Sequence, residues 1–328
     1  MKILIIKLGS KGDVIRTLPV LAALKEKYPD SEIYWITKHP SKEILQIISH
    51  INKIFTIPCE INENFDILYN FDIEEQATDL ANKINADKKF GFKSENNYVS
   101  SFNLGAEYYL NTLFDDEIKK NNKKTYQEMM CEAAELEYKK QHYPIYLAEQ
   151  DKKYAEEFVK KNNVNPDKLI GIHIGSSPRW PSKSWHEEKI REFIKKAKNR
   201  GYEILLFGGP DEIEKHNRII ADLNKQGIKI YSNNPHNSDI EFFSLINICK
   251  KIISADSYAL HIALALKKPT IALFFCTSPH EVEDSGLLTK IVSPLLYDFF
   301  PEKSDEYSEE LVNSILSEEV LKALETID

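Results

Sequence analysis

No stretch of this 328-residue sequence approaches the ~18 consecutive apolar residues of a membrane-spanning helix. The apolar run at its start, Ile3 to Ile6, is ended by Lys7 and is too short for a signal peptide. Cysteine is scarce. Cys59, Cys131, Cys249 and Cys276 lie far apart with no metal-ligand spacing. That excludes a disulfide framework and indicates a reducing compartment. The expectation is a cytoplasmic protein, with work at a membrane surface left open. There is no Walker-type phosphate loop, no Gly-x-Gly-x-x-Gly dinucleotide fingerprint and no Gly-x-Ser-x-Gly nucleophile elbow. No His-Glu or Cys cluster suits a metal. Asp115-Asp116-Glu117 lies beside Lys119 and Lys120 and reads as a solvated run. There is no basic domain either. The net charge is −8, and residues 1–150 carry 19 basic against 23 acidic residues. Nucleic acid is therefore excluded as a partner.

What is present is an ordinary globular composition, 42% hydrophobic and 29% charged, long enough for two domains. Apolar strands alternate with helical stretches. Ile3–Ile6, 33–37, 53–57 and 66–70 read as strands in the first half, and 169–174, 203–207, 228–231, 251–254 and 270–274 in the second. This alternation predicts α/β units with mostly parallel, doubly wound sheets. Residues 93–125 are polar and weakly periodic. They read as a long loop region with one helix near 106–114, followed by a helix over about 126–139. Residues 141–165 read as a connection between domains, giving expected domains 1–150 and 151–328. A last amphipathic helix is expected over about 308–326.

Candidate chemistry sits where strands end. Gly9-Ser10-Lys11-Gly12-Asp13 joins the first strand to a helix, and its glycines let the backbone turn and approach a ligand. Asp13 there is either a helix cap or a fixed base. Gly175-Ser176-Ser177 is a small-residue turn suited to a phosphate. Lys183 follows between Trp180 and Trp185, either as a point charge for a diphosphate or as a surface lysine. Asp256 and Ser257 occupy the capping positions of a helix that follows a strand directly, with His261 one turn in. Such an N-terminus attracts anions. Together with Lys183 these residues outline a nucleotide diphosphate site. Glu212, in Gly208-Gly209-Pro210-Asp211-Glu212, either accepts from a sugar hydroxyl or only favours the first helical turn.

The ordered set resembles glycosyltransferase family 9, the lipopolysaccharide heptosyltransferases. Its pieces are Gly12-Asp13-Val14 with Leu18-Pro19, Tyr28-Pro29-Asp30, Gly171-Ile172-His173 with Gly175-Ser176-Ser177, Trp180-Pro181 with Lys183 and Trp185, Gly208-Gly209-Pro210 with Glu212, and Asp256-Ser257 with His261. The resemblance implies a GT-B architecture, two Rossmann-like domains facing a cleft, with the last helix packing back on the first domain. It implies inverting, metal-independent transfer without a cofactor. The sugar would be heptose from ADP-heptose. The acceptor would be lipid-linked or glycan, with peripheral contact at the inner face of the cytoplasmic membrane. By resemblance Asp13 is the base and Lys183 stabilises the leaving diphosphate. Gly12, Ser176, Ser177, Lys183, Glu212, Asp256, Ser257 and His261 would contact the donor. The competing readings are another nucleotide-sugar donor for capsule, glycan or protein glycosylation, and a degenerate non-catalytic binder. The pattern is broken at Tyr258, where the family has Gly. A bulky side chain leaves room for a diphosphate there only by turning away.

Overall fold

The structure, a computed structural model, describes residues 1–327. The chain forms two units. The first comprises 1–146 with 280–283, and the second 147–279 with the described residues from 284 on. The expected boundary at 150/151 therefore falls inside the helix Glu149–Asn162. That helix belongs to the second unit because it packs on the helix Asp239–Ile248. The backbone N–H of Ala155 donates to Ser244 Oγ at 3.1 Å.

In the first unit, β1 (Lys2–Ile6), β2 (Glu32–Thr37), β3 (Lys53–Thr56), β4 (Phe65–Asn70), β5 (Ala86–Glu95) and β6 (Tyr98–Ser101) form one sheet in the order β3-β2-β1-β4-β5-β6. Only the β5–β6 pair is antiparallel. Ile3 lies opposite both Ile33 and Ile67. The whole Ile3–Ile6 run is buried, because a central parallel strand is covered on both faces.

In the second unit, β7 (Leu169–His173), β8 (Glu203–Phe207), β9 (Tyr231–Ser232), β10 (Lys251–Ala255), β11 (Thr270–Phe274) and β12 (Leu288–Val292) run parallel in the order β12-β11-β10-β7-β8-β9. The helix Glu187–Asn199 buries Ile190, Phe193, Ile194 and Ala197, the i, i+3, i+4, i+7 stripe of an amphipathic helix. In each unit the winding reverses direction beside the first strand, between β1 and β4 and between β7 and β10. Open α/β sheets hold ligands at such switch points.

Several expectations are corrected. Residues 93–125 are mostly strand and helix rather than a long loop, with the helix expected near 106–114 present as Glu107–Phe114. β5 and β6 form a hairpin whose turn residues, Asn96 and Asn97, both have positive φ (53° and 66°), as a two-residue turn of this hand requires. Helices Glu107–Phe114 and Asp116–Asn121 follow. The helix expected over 126–139 ends at Ala133, where Glu135 turns left-handed (φ 52°) and the N–H of Leu136 bonds back to Cys131 O. The strand expected at 228–231 is only Tyr231–Ser232, and β12 was not anticipated. The last helix is two, Glu309–Asn313 and Ser317–Thr326, and both belong to the second unit. Leu311, Ile315, Val320, Leu321 and Leu324 join one apolar core with Trp185, Phe193 and Ile194, so this apolar face is used there rather than on the first unit.

Candidate active site

In the first unit the turn after β1 is held from β4. The Asp72 carboxylate accepts from the N–H groups of Leu8 (2.9 Å) and Gly9 (2.7 Å). Lys7, only 5% exposed, donates to Phe71 O at 2.8 Å and lies 3.5 Å from the same carboxylate. The helix Lys11–Lys27 then starts with a capping box. Ser10 Oγ accepts from the Asp13 N–H, and Asp13 Oδ2 accepts from Ser10 N–H (3.1 Å) and Ser10 Oγ–H (2.7 Å). Arg16 places Nη2 2.8 Å from Asp13 Oδ1, and its guanidinium stacks on Tyr126 at 3.8 Å. Asp13 thus closes the capping box of the Ser10 cap, and its side chain is still 31% exposed. Burial pushes its pKa up, but Arg16, Lys7 and the Ser10 hydrogen bonds outweigh that and hold the carboxyl well below the usual range. It is an anion at any physiological pH. Gly12 precedes it in the first helical turn. A Cβ at Gly9 would come within 3.0 Å of the Asp13 carboxylate, so the close approach is made by Gly9.

In the second unit the loop after β7 meets the turn after β10. Lys183 Nζ lies 3.0 Å from Asp256 Oδ2, with the two side chains 16% and 18% exposed. His261 lies behind, Nε2 3.9 Å from Asp256 Oδ1, and is 6% exposed. Ser257 does not cap its helix with its hydroxyl. Its Oγ instead lies 3.2 Å from His173 Nδ1 and 2.8 Å from Ser254 Oγ. His173 is pushed down to about 4, by burial first and then by Lys215, so it is neutral. Ser176 is partly exposed and Ser177 exposed. Glu212 Oε2 accepts from Gly209 N–H at 2.8 Å, closing the turn after β8. The same carboxylate abuts the loop after β7, since a Cβ at Gly175 would sit 2.7–2.9 Å from it. Tyr258 turns toward the helix Asp239–Ile248. Its hydroxyl donates to Asp239 Oδ1 (2.7 Å), and its ring stacks on Phe242 at 5.9 Å and 7°.

Lys7, Asp72, Arg16 and Lys215 carry no role in the sequence reading, and His173 enters it only as part of the Gly171-Ile172-His173 motif. A lysine closing an otherwise apolar strand was the one available signal, for Lys7. The Asp72 contact spans 63 or more residues and leaves no local pattern. Among the described residues, no group of three His, Cys, Asp or Glu could hold a metal ion, and no helix is long and apolar enough to cross a membrane.

The family model for glycosyltransferase family 9 (heptosyltransferase) matches residues 60–306. The chain belongs to this family. It is a glycosyltransferase of the heptosyltransferase type. It is 24% identical over 306 residues to lipopolysaccharide heptosyltransferase 2 of Salmonella typhimurium, covering 85% of this chain and 84% of that one. Its fold matches a family 9 glycosyltransferase from Veillonella parvula with TM-score 0.79 and 20% identity, over 99% and 96% of the two chains. The E. coli ADP-heptose lipopolysaccharide heptosyltransferase II follows with TM-score 0.69 and 20% identity, over 99% and 98%. The fold is the GT-B class of two Rossmann-like domains. The matched segment includes Lys183, Glu212 and Asp256 and starts after Asp13.

Proposed function

We propose that this family 9 member transfers heptose from ADP-heptose to a sugar hydroxyl of a lipopolysaccharide inner core or related surface glycan, with inversion and without a metal. The observation that carries the reading is the Lys183–Asp256 ion pair across the β7/β10 switch point. It gathers a cation, a small-residue loop and the start of the helix Tyr258–Ala265 at the place where an α/β sheet binds nucleotides. The E. coli relative named for ADP-heptose supports the choice of donor. A lipid-linked acceptor would place the work at the inner face of the cytoplasmic membrane.

Displacement at an anomeric carbon needs a base for the attacking hydroxyl and charge stabilisation for the leaving diphosphate. The first unit supplies the base. The Asp13 carboxylate is kept ionised by Arg16 and accepts the acceptor's proton as the new bond forms, exchanging a Ser10 contact to do so. The second unit holds the donor. Lys183 leaves Asp256 for the diphosphate as charge accumulates on it, with Ser176, Ser177 and the helix N-terminus adding donors. Asp256 then accepts from a donor hydroxyl. Glu212, fixed against Gly175, faces the same loop.

The first test is a thermal-shift panel with ADP, UDP, GDP and CMP in the presence of a chelator. Selective binding of ADP to the folded state raises stability by ~2.7 kcal/mol at a hundred times its Kd. Selective stabilisation by UDP or GDP replaces the donor in this reading, and no response to any nucleotide removes the reading.

A further inference from the structure

The loop from Gly175 to Lys183 begins and ends on one side chain. Lys215 lies on the helix Ile213–Lys225, three residues after Glu212. Its Nζ donates to Ile174 O (3.1 Å), the residue before the loop. It also donates to Ser184 Oγ (3.0 Å) and Trp185 O (3.3 Å), the residues just after it. Ser184 Oγ in turn donates to Ile174 O at 2.6 Å, closing a small ring of polar contacts at the neck of the loop. An ammonium has three N–H groups, and three acceptors are met. They are two backbone carbonyls and a hydroxyl rather than a carboxylate. The cation is therefore used to gather chain, and it forms no ion pair there. Within the loop, only Pro181–Lys183 is regular, a single 3-10 turn.

We propose that Lys215 is a positioning residue that clamps the two ends of this loop, so that Ser176, Ser177 and Lys183 form a ready-made surface for a nucleotide diphosphate. The proposal rests on the donor-site reading above. A loop ordered before binding spares the ligand the entropy of ordering it. The clamp also has a pH limit. Burial, with Arg218 adding to it, pushes Lys215 down to about 8 against the raising effect of Glu187 and Glu212. A neutral amine keeps two N–H groups for the two carbonyls and can hold Ser184 only by accepting its O–H, which takes that hydroxyl from Ile174 O and loosens the neck. The groups facing Lys215 are Glu187 from the helix after the loop, Glu212 and Arg218 on either side along its own segment, and His173 from β7. Glu187 and Arg218 stay charged and His173 stays neutral from pH 7 to 9, whereas Lys215 titrates in this window.

The test uses the full chain, with hydrogen–deuterium exchange read without ligand and ADP affinity read by calorimetry. Lys215→Met should speed exchange across residues 175–184 at least about tenfold, with β7 and the helix Glu187–Asn199 unchanged, and raise the Kd for ADP about tenfold. Lys215→Arg should recover most of both and shift the alkaline decline in ADP affinity upward from about pH 8. Wild-type exchange in the loop of a folded Lys215→Met protein overturns the clamp. If that variant does not fold, the wild-type pH series decides, and ADP affinity and corrected loop exchange that stay flat from pH 7 to 9.5 overturn it. Failure of the donor-site reading looks different. There, Lys183→Ala leaves ADP affinity unchanged while the ligand-free exchange still reports on the clamp.

Discussion

Lys183 Nζ and Asp256 Oδ2 stand 3.0 Å apart, so the loop after β7 is joined to the turn after β10 by an ion pair at the sheet's switch point. The pair orients the cation, and on the proposed donor site it also sets a cost, since a diphosphate would have to take Lys183 from a carboxylate that repels it.

That cost can be measured. Lys183→Ala should weaken ADP binding by 10-fold or more, on the order of 2 kcal/mol, because it removes a charge-assisted contact and leaves Asp256 facing the phosphates. Asp256→Asn in the same protein should recover part of the loss. Calorimetry on the two single variants and the double variant gives the coupling, and additive losses would mean the two side chains do not share the ligand.

Arg16 should set the pH response of the base. Asp13 is held well below the ordinary carboxylate range, against the effect of burial. Its folded pKa is below the unfolded value of about 3.9, so ionised Asp13 adds stability above that value and the contribution is lost as pH falls toward the folded one. The acid limb of kcat/KM from Asp13 should accordingly lie below pH 4. Arg16→Met removes the nearest cation and should bring that limb up into the range of ordinary or buried carboxyls. A pH–rate profile identical to wild type would separate Arg16 from the base.

His173 predicts an acid sensitivity of the same sign in a higher pH range. Its folded pKa is pushed down to about 4, by burial first, against about 6.5 in an unfolded chain. Between those values the unfolded chain binds the proton and the native one does not. Stability should therefore fall as pH drops from about 6.5 to 4, by on the order of 2 kcal/mol after discounting for partial exposure. Urea titrations at pH 7 and pH 5 should show this drop in wild type and a smaller one in His173→Gln.

The C-terminal helices predict a stability effect that is blind to the donor site. Leu321 is fully buried in the core shared by Trp185, Phe193 and Ile194. Leu321→Ala should cost about 2–5 kcal/mol in denaturant unfolding, as core truncations do. A loss under about 0.5 kcal/mol would remove this helix from the second unit's core.

The sequence showed the strands where apolar, β-branched runs fill buried central positions, as in Ile3–Ile6 and Leu169–His173. It also showed the turns at the strand ends, because Gly, Ser and Asp cluster there. Lys183, Asp256 and His261 were read as one group, and the structure brings them together. Ser257 was read as a cap, and it bonds His173 instead. What stayed hidden depends on distance along the chain. Asp72 reaches back more than sixty residues to hold the Gly9 turn, and Lys215 reaches back about thirty to forty to close the Gly175 loop. The hairpin at Asn96-Asn97 did carry a local signal, two residues tolerant of positive φ, but its flanking strands are too polar to stand out. The last helix was assigned to the wrong partner because an amphipathic stripe says that a face is buried and not against what.

The most direct measurement is mass spectrometry of a heptose-deficient lipopolysaccharide core incubated with ADP-heptose and the full chain. The account predicts a gain of one heptose with wild type. It predicts a rate lowered ~10²–10⁴-fold in Asp13→Asn, whose affinity for ADP remains that of wild type. A wild-type rate in Asp13→Asn would contradict the assignment of the base, and no gain from ADP-heptose alongside transfer from another nucleotide sugar would contradict the donor.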